Sequence, residues 1–238
     1  KSLAPRDVVA RAIYREMTRR GEDFVCLDVR HKDPDTVRNH FPNIYEKCLS
    51  IGIDITRDLI PVTPAAHYCC GGVKVDTDGQ TSIRRLYALG ETSCTGLHGA
   101  NRLASNSLIE AVVYADQAAR HAAAQLDRVD FQEGIPDWDF EGTQHIEEML
   151  MLIQSRREVQ QIMSNYVGIV RSNLSLKRAM RRLELLWQET EELYARSKPN
   201  RELCELRNTI AVAYLVIKQG REIKESVACH YNADYPKQ

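Results

Sequence analysis

The sequence lacks the features that mark several broad classes of protein. Its 32 lysines and arginines nearly balance 33 aspartates and glutamates, so the formal net charge is −1. The chain therefore lacks the excess of positive charge that a non-specific nucleic-acid binder needs, and we expect no nucleic-acid partner. The longest apolar run, residues 210–217, is far shorter than the roughly 18 residues that cross a bilayer, so we expect no membrane association. No export signal is recognisable, which favours a cytoplasmic protein.

Metal sites and disulfides are not expected either. The seven cysteines are an odd number without any C-x-x-C spacing, and the histidines show no ligand-like pairing. The adjacent Cys69 and Cys70 leave two readings open, a redox switch or two ordinary thiols. Aromatic residues make up only 7% of the chain and do not alternate with basic ones, which argues against a single-strand stacking surface.

The pattern of apolar and helix-breaking residues changes twice along the chain. Residues 1–60 are helix-rich, with a helix that stops at Gly21, a strand within 24–29 and helix starts at Pro34 and Pro42. Residues 61–126 predict strands separated by turns, among them one at 86–89, and then a long helix over 105–126.

A polar linker and an all-helical region are predicted next. Residues 127–142 are rich in aspartate, glycine and proline, which is typical of a linker. Apolar residues at helical spacing then predict three helices, and short turns between helices make neighbours antiparallel, so we expect a three-helix bundle. The predicted helices span 143–168, 173–196 and 201–219.

The densest cluster of polar and small residues runs from Leu86 to Leu108. It predicts a strand, the acidic Glu91 at its carboxyl end, a glycine-bearing loop and a helix start, which is where open α/β sheets bind ligands. Glu91 suits a ribose hydroxyl, and the first amides of the helix suit a phosphate or the electron-rich edge of a reduced flavin. Alternatively, Ser105 is only a helix cap and Glu91 only a solvated turn acid.

Three further side chains have the chemistry of an anion site. Arg102, within the loop, can grip a carboxylate through two parallel hydrogen bonds. His67 precedes Gly71 and Gly72, where a backbone can approach a ligand closely. Arg6 lies in a first helical turn, where a positive charge opposes the helix dipole. Taken alone, a loop arginine is more often a surface ion pair, and such a histidine is more often a structural residue.

Taken in order, these segments resemble a known family. They are APRD at 4–7, PAAHY at 64–68, LYALGE at 86–91 and HGANRL at 98–103, followed by NSL at 106–108. They resemble the carboxyl-terminal half of the succinate dehydrogenase/fumarate reductase flavoprotein family. The resemblance implies an α+β fragment: the tail of a substrate-capping domain at 1–60, the end of an FAD-binding α/β domain at 61–126, and the helical bundle and tail at 143–238.

The resemblance also implies roles for individual residues. Arg6 would exchange a proton with the substrate, His67 and Arg102 would bind its carboxylates, Glu91 would contact the ribose of FAD, and Ser107 and Leu108 would contact the flavin ring. The segment 94–110 is most similar to members of the family that oxidise L-aspartate to iminoaspartate, with oxygen or fumarate as acceptor, in NAD biosynthesis. Quinolinate synthase would then be a partner.

Several alternatives stay open at this point. Arg6 either acts as a base or stabilises developing charge, since arginine is otherwise permanently protonated. The chain either belongs to a succinate dehydrogenase or fumarate reductase flavoprotein, or contains a non-catalytic helical interaction module with a basic docking face. That face would comprise Arg171, Lys177, Arg178, Arg181 and Arg182.

No G-x-G-x-x-G motif is present, which matches a fragment without the amino-terminal dinucleotide-binding part. We therefore expect that this chain alone neither binds FAD tightly nor turns over substrate.

Overall fold

The structure is a computed structural model that describes residues 4–139, 141–145 and 149–236. It is rich in helix and has two small two-stranded sheets. The chain divides into two compact units, Lys1–Ala66 and His67–Gln238. None of the described helices is both long and apolar enough to cross a membrane.

The first unit contains three helices and one antiparallel strand pair. Helix α1 (Arg6–Arg20) follows Pro5 and ends at Gly21, whose positive φ of 70° lets its N–H bond the Met17 carbonyl. Helices α2 (Pro34–His40) and α3 (Pro42–Leu49) begin at prolines because their fixed φ suits a first helical turn. Strand β1 (Val25–Leu27) pairs with β2 (Ile60–Val62). The predicted helix starts at Pro34 and Pro42 are therefore confirmed.

The second unit begins with a short parallel ladder that places the candidate site. Strand β3 (Val73–Lys74) pairs with β4 (Ser93–Cys94), and a 3-10 turn at Gly90–Thr92 leads into β4. The strand predicted at 86–89 is wrong, because Tyr87 makes only an isolated bridge to Gln80. The Leu86 N–H bonds the Ile83 carbonyl in a turn, and the 3-10 turn starts at Gly90. The apolar run between these two turns is therefore too short to form a regular strand ladder.

Helix α4 (Asn106–Leu126) follows the glycine-bearing loop. Ser105 occupies the N-cap position, as the alternative interpretation expected, but its φ is 69° and its side chain makes no capping bond. The Tyr87 hydroxyl lies 2.8 Å from Nδ1 of His121 and ties the helix to the preceding loops.

The remaining helices form the predicted three-helix bundle. They are α5 (Met149–Tyr166), α6 (Asn173–Arg196) and α7 (Arg201–Glu222). Ser172 caps α6 reciprocally with Ser175, and Asn200 caps α7 by accepting a 2.8 Å bond from the Leu203 N–H. The helices share one apolar core, lined by Leu152, Val159, Ile162, Leu176, Ala179, Leu183, Leu186, Leu203, Leu206, Ile210, Ala213 and Ile217.

The start predicted for the first bundle helix, residue 143, is wrong. Gln144 instead forms an isolated bridge with Ser197, its N–H bonding the Arg196 carbonyl. Residues 146–148 lie outside the described part of the chain.

The irregular tail after α7 is anchored through Arg171. The Arg171 backbone pairs with the tail on both sides of Asn232, which is fully buried. The Arg171 guanidinium donates to the Val167 and Gly168 carbonyls and lies 3.0 Å from Nδ1 of His230. Arg171 is therefore a tail anchor, and its inclusion in an exposed basic docking face is wrong.

This anchor makes stability depend on pH through His230. Burial and the Arg171 charge lower the pKa of His230, while Glu225 acts in the opposite direction more weakly. The unfolded chain binds a proton on this histidine near its ordinary pKa of about 6.5, and the folded chain resists it. The stability contribution is therefore complete above that pH and decreases as the pH falls below it.

We expect His230→Gln to reduce the loss of melting temperature between pH 7 and pH 5, measured by circular dichroism. The matched control is His31→Gln, on the exposed surface of the first unit, which should leave the pH dependence as it is. An unchanged slope in His230→Gln would show that other groups dominate.

Candidate active site

The candidate site in the second unit is built from two loops and the start of a helix. Residues 67–72, here the His67 loop, lead into β3, and residues 95–105, here the Arg102 loop, connect β4 to α4. Strands β3 and β4 pair in parallel, and the two loops meet through Tyr68, whose ring lies 5.0 Å from the His98 ring and from the Arg102 guanidinium carbon. The local fold thus brings His67 and Arg102 onto neighbouring loops.

The residues just before the two strands, Gly72 and Thr92, approach each other unusually closely. The φ of Gly72 is 145°, and a Cβ built there would lie 2.1 Å from the Thr92 carbonyl oxygen. Only glycine fits this position without moving the backbone. The glycine that the sequence suggested for a close approach to a ligand therefore serves a close approach to Thr92.

Glu110, in the second turn of α4, is the most connected side chain of the site. Its carboxylate accepts hydrogen bonds from the hydroxyls of Tyr68 (3.3 Å) and Thr95, and lies 2.7 Å from Nε2 of His98. The Glu110 side chain is 2% exposed and that of His98 is 7% exposed. Such a buried carboxylate is stable only with a full set of donors, and here three loop residues supply it.

Arg102 is held by contacts on two sides. One terminal nitrogen, Nη1, donates a 2.8 Å bond to the Ser107 hydroxyl, and the guanidinium carbon lies 5.0 Å from the ring centroid of Tyr68. Its Nε is buried and has no acceptor among the described residues. The protein thus fixes the guanidinium and leaves part of its hydrogen-bonding capacity for another acceptor.

Tyr68 links these contacts. Burial raises the pKa of its hydroxyl, and the nearby Glu110 carboxylate raises it further. The phenol therefore stays protonated and can donate to Glu110 while its ring face supports Arg102. The rings of Tyr68 and His98 also pack edge to face, with their centroids 5.0 Å apart and an interplanar angle of 82°.

Glu91 is exposed in the 3-10 turn, and one of its carboxylate oxygens accepts a 2.8 Å bond from the Cys69 N–H. The interpretation of Glu91 as only a solvated turn acid is therefore wrong, since it joins the turn to the His67 loop.

Ser107 and Leu108 occupy the first turn of α4, where backbone N–H groups lack partners within the helix. The turn has no acidic residue to compensate the helix dipole, and the Leu108 side chain is 75% exposed. An exposed apolar side chain beside free amides suits the edge of a flavin ring, with its apolar face and electron-rich carbonyl and nitrogen atoms. The residues present therefore fit an FAD group at this position.

Arg6 is the first residue of α1 and belongs to the other compact unit. His67 and Arg102 lie in the second unit, so the role of Arg6 toward the same substrate stays a prediction.

Sequence reasoning missed the residues that support Arg102, namely Tyr68, His98 and Glu110. The available signal was Glu110 itself, an acidic residue between Ile109 and Ala111 in the apolar, alanine-rich α4. A carboxylate in an apolar segment is rarely buried unless it is paired with hydrogen-bond donors. A threonine and a histidine in the preceding loop are such donors.

The chain matches two models of flavoprotein families. Residues 1–108 match the FAD binding domain model, and residues 156–238 match the model of the fumarate reductase flavoprotein C-terminus. A structure of a quinol-fumarate reductase superposes with a TM-score of 0.82 at 26% identity, covering 99% of this chain and 45% of that one. The Mycobacterium smegmatis Sdh1 structure gives 0.79 at 28% identity, covering 99% and 42%. Between them, the two models and these structures show that most of the chain is similar to flavoproteins of the succinate dehydrogenase/fumarate reductase type.

The curated relatives with high identity are L-aspartate oxidases. The Vibrio cholerae protein is 49% identical over 236 residues, covering 99% of this chain and 44% of the relative. The chloroplastic protein of Arabidopsis thaliana is 42% identical over 249 residues, covering 98% and 38%. The chain thus spans less than half the length of the relatives it matches.

Proposed function

We propose that this chain is part of a cytoplasmic FAD-dependent enzyme that oxidises L-aspartate to iminoaspartate for NAD biosynthesis, with oxygen or fumarate as acceptor. The observation that carries the proposal is the 49% identity to an L-aspartate oxidase over nearly the whole chain, against 26–28% for the fumarate reductase and succinate dehydrogenase structures. The anchored Arg102 supports it, because it offers a fixed guanidinium to a dicarboxylate.

In this proposal the residues of the chain bind and orient the substrate. Arg102 and His67 anchor carboxylates of L-aspartate, which fixes the Cα–H bond toward the flavin. Loss of a hydride from Cα and a proton from nitrogen gives iminoaspartate, and bound FAD supplies the two-electron acceptor. Glu91 would bind the ribose of FAD, and Ser107 and Leu108 would contact its ring.

Arg6 is proposed as the group that exchanges a proton with the substrate. It is exposed at the amino-terminal end of α1 in its own unit. Either its neutral form acts transiently as the base, or the guanidinium stabilises negative charge as it develops.

We also propose a domain assignment and a partner. Residues 1–60 would end the capping domain, 61–126 would end the FAD-binding domain, and 127–142 would link it to the bundle and tail at 143–238. The two family matches, which end at 108 and resume at 156, support a division in this region. The unstable product makes quinolinate synthase a reasonable recipient of iminoaspartate.

The proposal is tested by turnover of the full-length protein with matched substrates. We expect peroxide formation with L-aspartate in air, fumarate-dependent turnover without oxygen, and no comparable reaction with succinate. A protein that oxidises succinate and ignores L-aspartate would overturn the proposal.

That second outcome is a distinct candidate function, a fumarate reductase or succinate dehydrogenase flavoprotein subunit. It is favoured by one observation, the TM-score of 0.82 to a quinol-fumarate reductase. The same pair of substrates separates the two functions, because only the oxidase requires an amine on the substrate.

A further inference from the structure

We propose that Glu110 is a positioning residue that fixes the spacing between the two carboxylate anchors, His67 and Arg102. This inference rests on the proposed function of those two residues and assigns a role to a third that does not touch the substrate. Its basis is that one buried carboxylate binds both loops of the site at once.

The donors to Glu110 come from both loops. Tyr68, whose hydroxyl donates at 3.3 Å, is the direct neighbour of His67 in the chain. Thr95 and His98, the other two partners, belong to the Arg102 loop. A displacement of either loop relative to the other must therefore lengthen or break a bond to the same carboxylate.

The carboxylate is itself held rigidly. Glu110 extends from α4, a helix of 21 residues, and its side chain is nearly inaccessible to water. In such an environment hydrogen bonds to a charged acceptor are strong, and an unpaired partner is costly. Glutamine has the same shape but presents an amide NH₂ in place of one acceptor oxygen, so at least one of the three hydrogen bonds must be lost or reverse its direction.

The position of Arg102 depends on the same helix through two routes. Ser107, one turn before Glu110 on α4, accepts the bond from Nη1 of Arg102. The Tyr68 ring, whose hydroxyl is held by Glu110, lies under the guanidinium. Loss of the Glu110 charge weakens the hydrogen bond that holds the ring, one of the two supports, while the bond to Ser107 remains.

The expected consequence is weaker capture of dicarboxylates without loss of the cofactor. In the full-length flavoenzyme, Glu110→Gln should raise the KM for L-aspartate and the Kd for succinate by about tenfold or more, since a small misplacement of an anchoring group is costly. The kcat should change less than KM, and the FAD stoichiometry should stay at the wild-type value. Asp116→Asn, an exposed acid on the same helix, is the matched control and should change neither constant.

A double-mutant cycle separates positioning from general destabilisation. Tyr68→Phe keeps the ring under Arg102 and removes only the hydroxyl, so it should raise the Kd of succinate modestly. In the Glu110→Gln background it should add less than it does in the wild type, because both substitutions act on the same hydrogen-bonded cluster. It also serves as the test if Glu110→Gln does not fold.

The outcomes are distinguishable from those for the proposed function. Failure of the wild-type enzyme to oxidise L-aspartate overturns the proposed function, while the succinate titration, followed by flavin absorbance, still reports on the anchors. Unchanged Kd and KM in Glu110→Gln, or additive effects of the two substitutions, would overturn the positioning role.

Discussion

Arg102→Met should raise the KM of the full-length enzyme for L-aspartate by about a hundredfold or more, because truncating a hydrogen-bonded charge partner commonly costs 2–5 kcal/mol. Methionine retains much of the aliphatic stem of the arginine side chain, so the effect reports on the guanidinium. The structure holds that guanidinium between the Ser107 hydroxyl and the Tyr68 ring and leaves its Nε without an acceptor. The measurement is steady-state kinetics with L-aspartate, normalised to bound FAD.

The matched control for this substitution is Arg120→Met on α4, the helix that follows the Arg102 loop. Arg120 is exposed and pairs with Asp116, one turn away on the helix surface, so its loss should leave KM within experimental error. If the two variants give the same KM, Arg102 is a surface arginine and the substrate anchor lies elsewhere.

Gly72→Ala should destabilise the protein by about 3 kcal/mol or more, since it combines an unfavourable φ with a backbone overlap. The added Cβ would lie 2.1 Å from the Thr92 oxygen and 2.6 Å from its carbonyl carbon, at a φ of 145°. The overlap can be relieved only if β3 moves away from β4, which begins at Ser93, the residue after Thr92. Urea unfolding followed by circular dichroism measures the loss, and reduced FAD content should accompany it in the full-length protein.

The neighbouring glycine provides the control for this position. A Cβ on Gly71 meets no atom closer than the Cys69 carbonyl oxygen at 3.9 Å, which is ordinary contact, and its φ is not in the positive region. Gly71→Ala should therefore be tolerated, with a stability change below about 1 kcal/mol. Equal losses for both variants would mean that the close approach of Gly72 to Thr92 is not a feature of the protein.

Much of the fold could be predicted because local sequence signals agree with it. Proline at the first position of α2 and α3 and glycine after α1 determine where those helices begin and end. The three-four spacing of leucines and isoleucines in α6 and α7 reflects one face that packs into the bundle core. These signals act within a few residues, so a single sequence contains them.

The errors come from interactions between distant segments. The run 86–89 has strand-like residues, but turns on both sides leave Tyr87 with one bridge, and Leu86 is 47% exposed. Ser105 is a favourable capping residue, but the Arg102 loop enters the helix with a positive φ at that position. Neither constraint can be read from the composition of the segment itself.

For the site, the motif pattern indicated Arg102 and His67 but not what holds them. The bond between Tyr68 and Glu110 joins residues 42 positions apart, and that between His98 and Glu110 spans 12 positions. Such pairs depend on how the loops meet α4, and spacing along the chain does not reveal them. The helix-start residues Ser107 and Leu108 were easier to place because a helix terminus has the same chemistry wherever it occurs.

The most direct test of the account is a crystal structure of the full-length protein with FAD and succinate, a dicarboxylate that lacks the reacting amine. We expect one carboxylate within hydrogen-bond distance of the Arg102 guanidinium, the His67 ring at a carboxylate, and the flavin edge at the first turn of α4. Succinate bound away from both loops, or FAD that does not reach Ser107 and Leu108, would contradict the assignment of this chain to the substrate site.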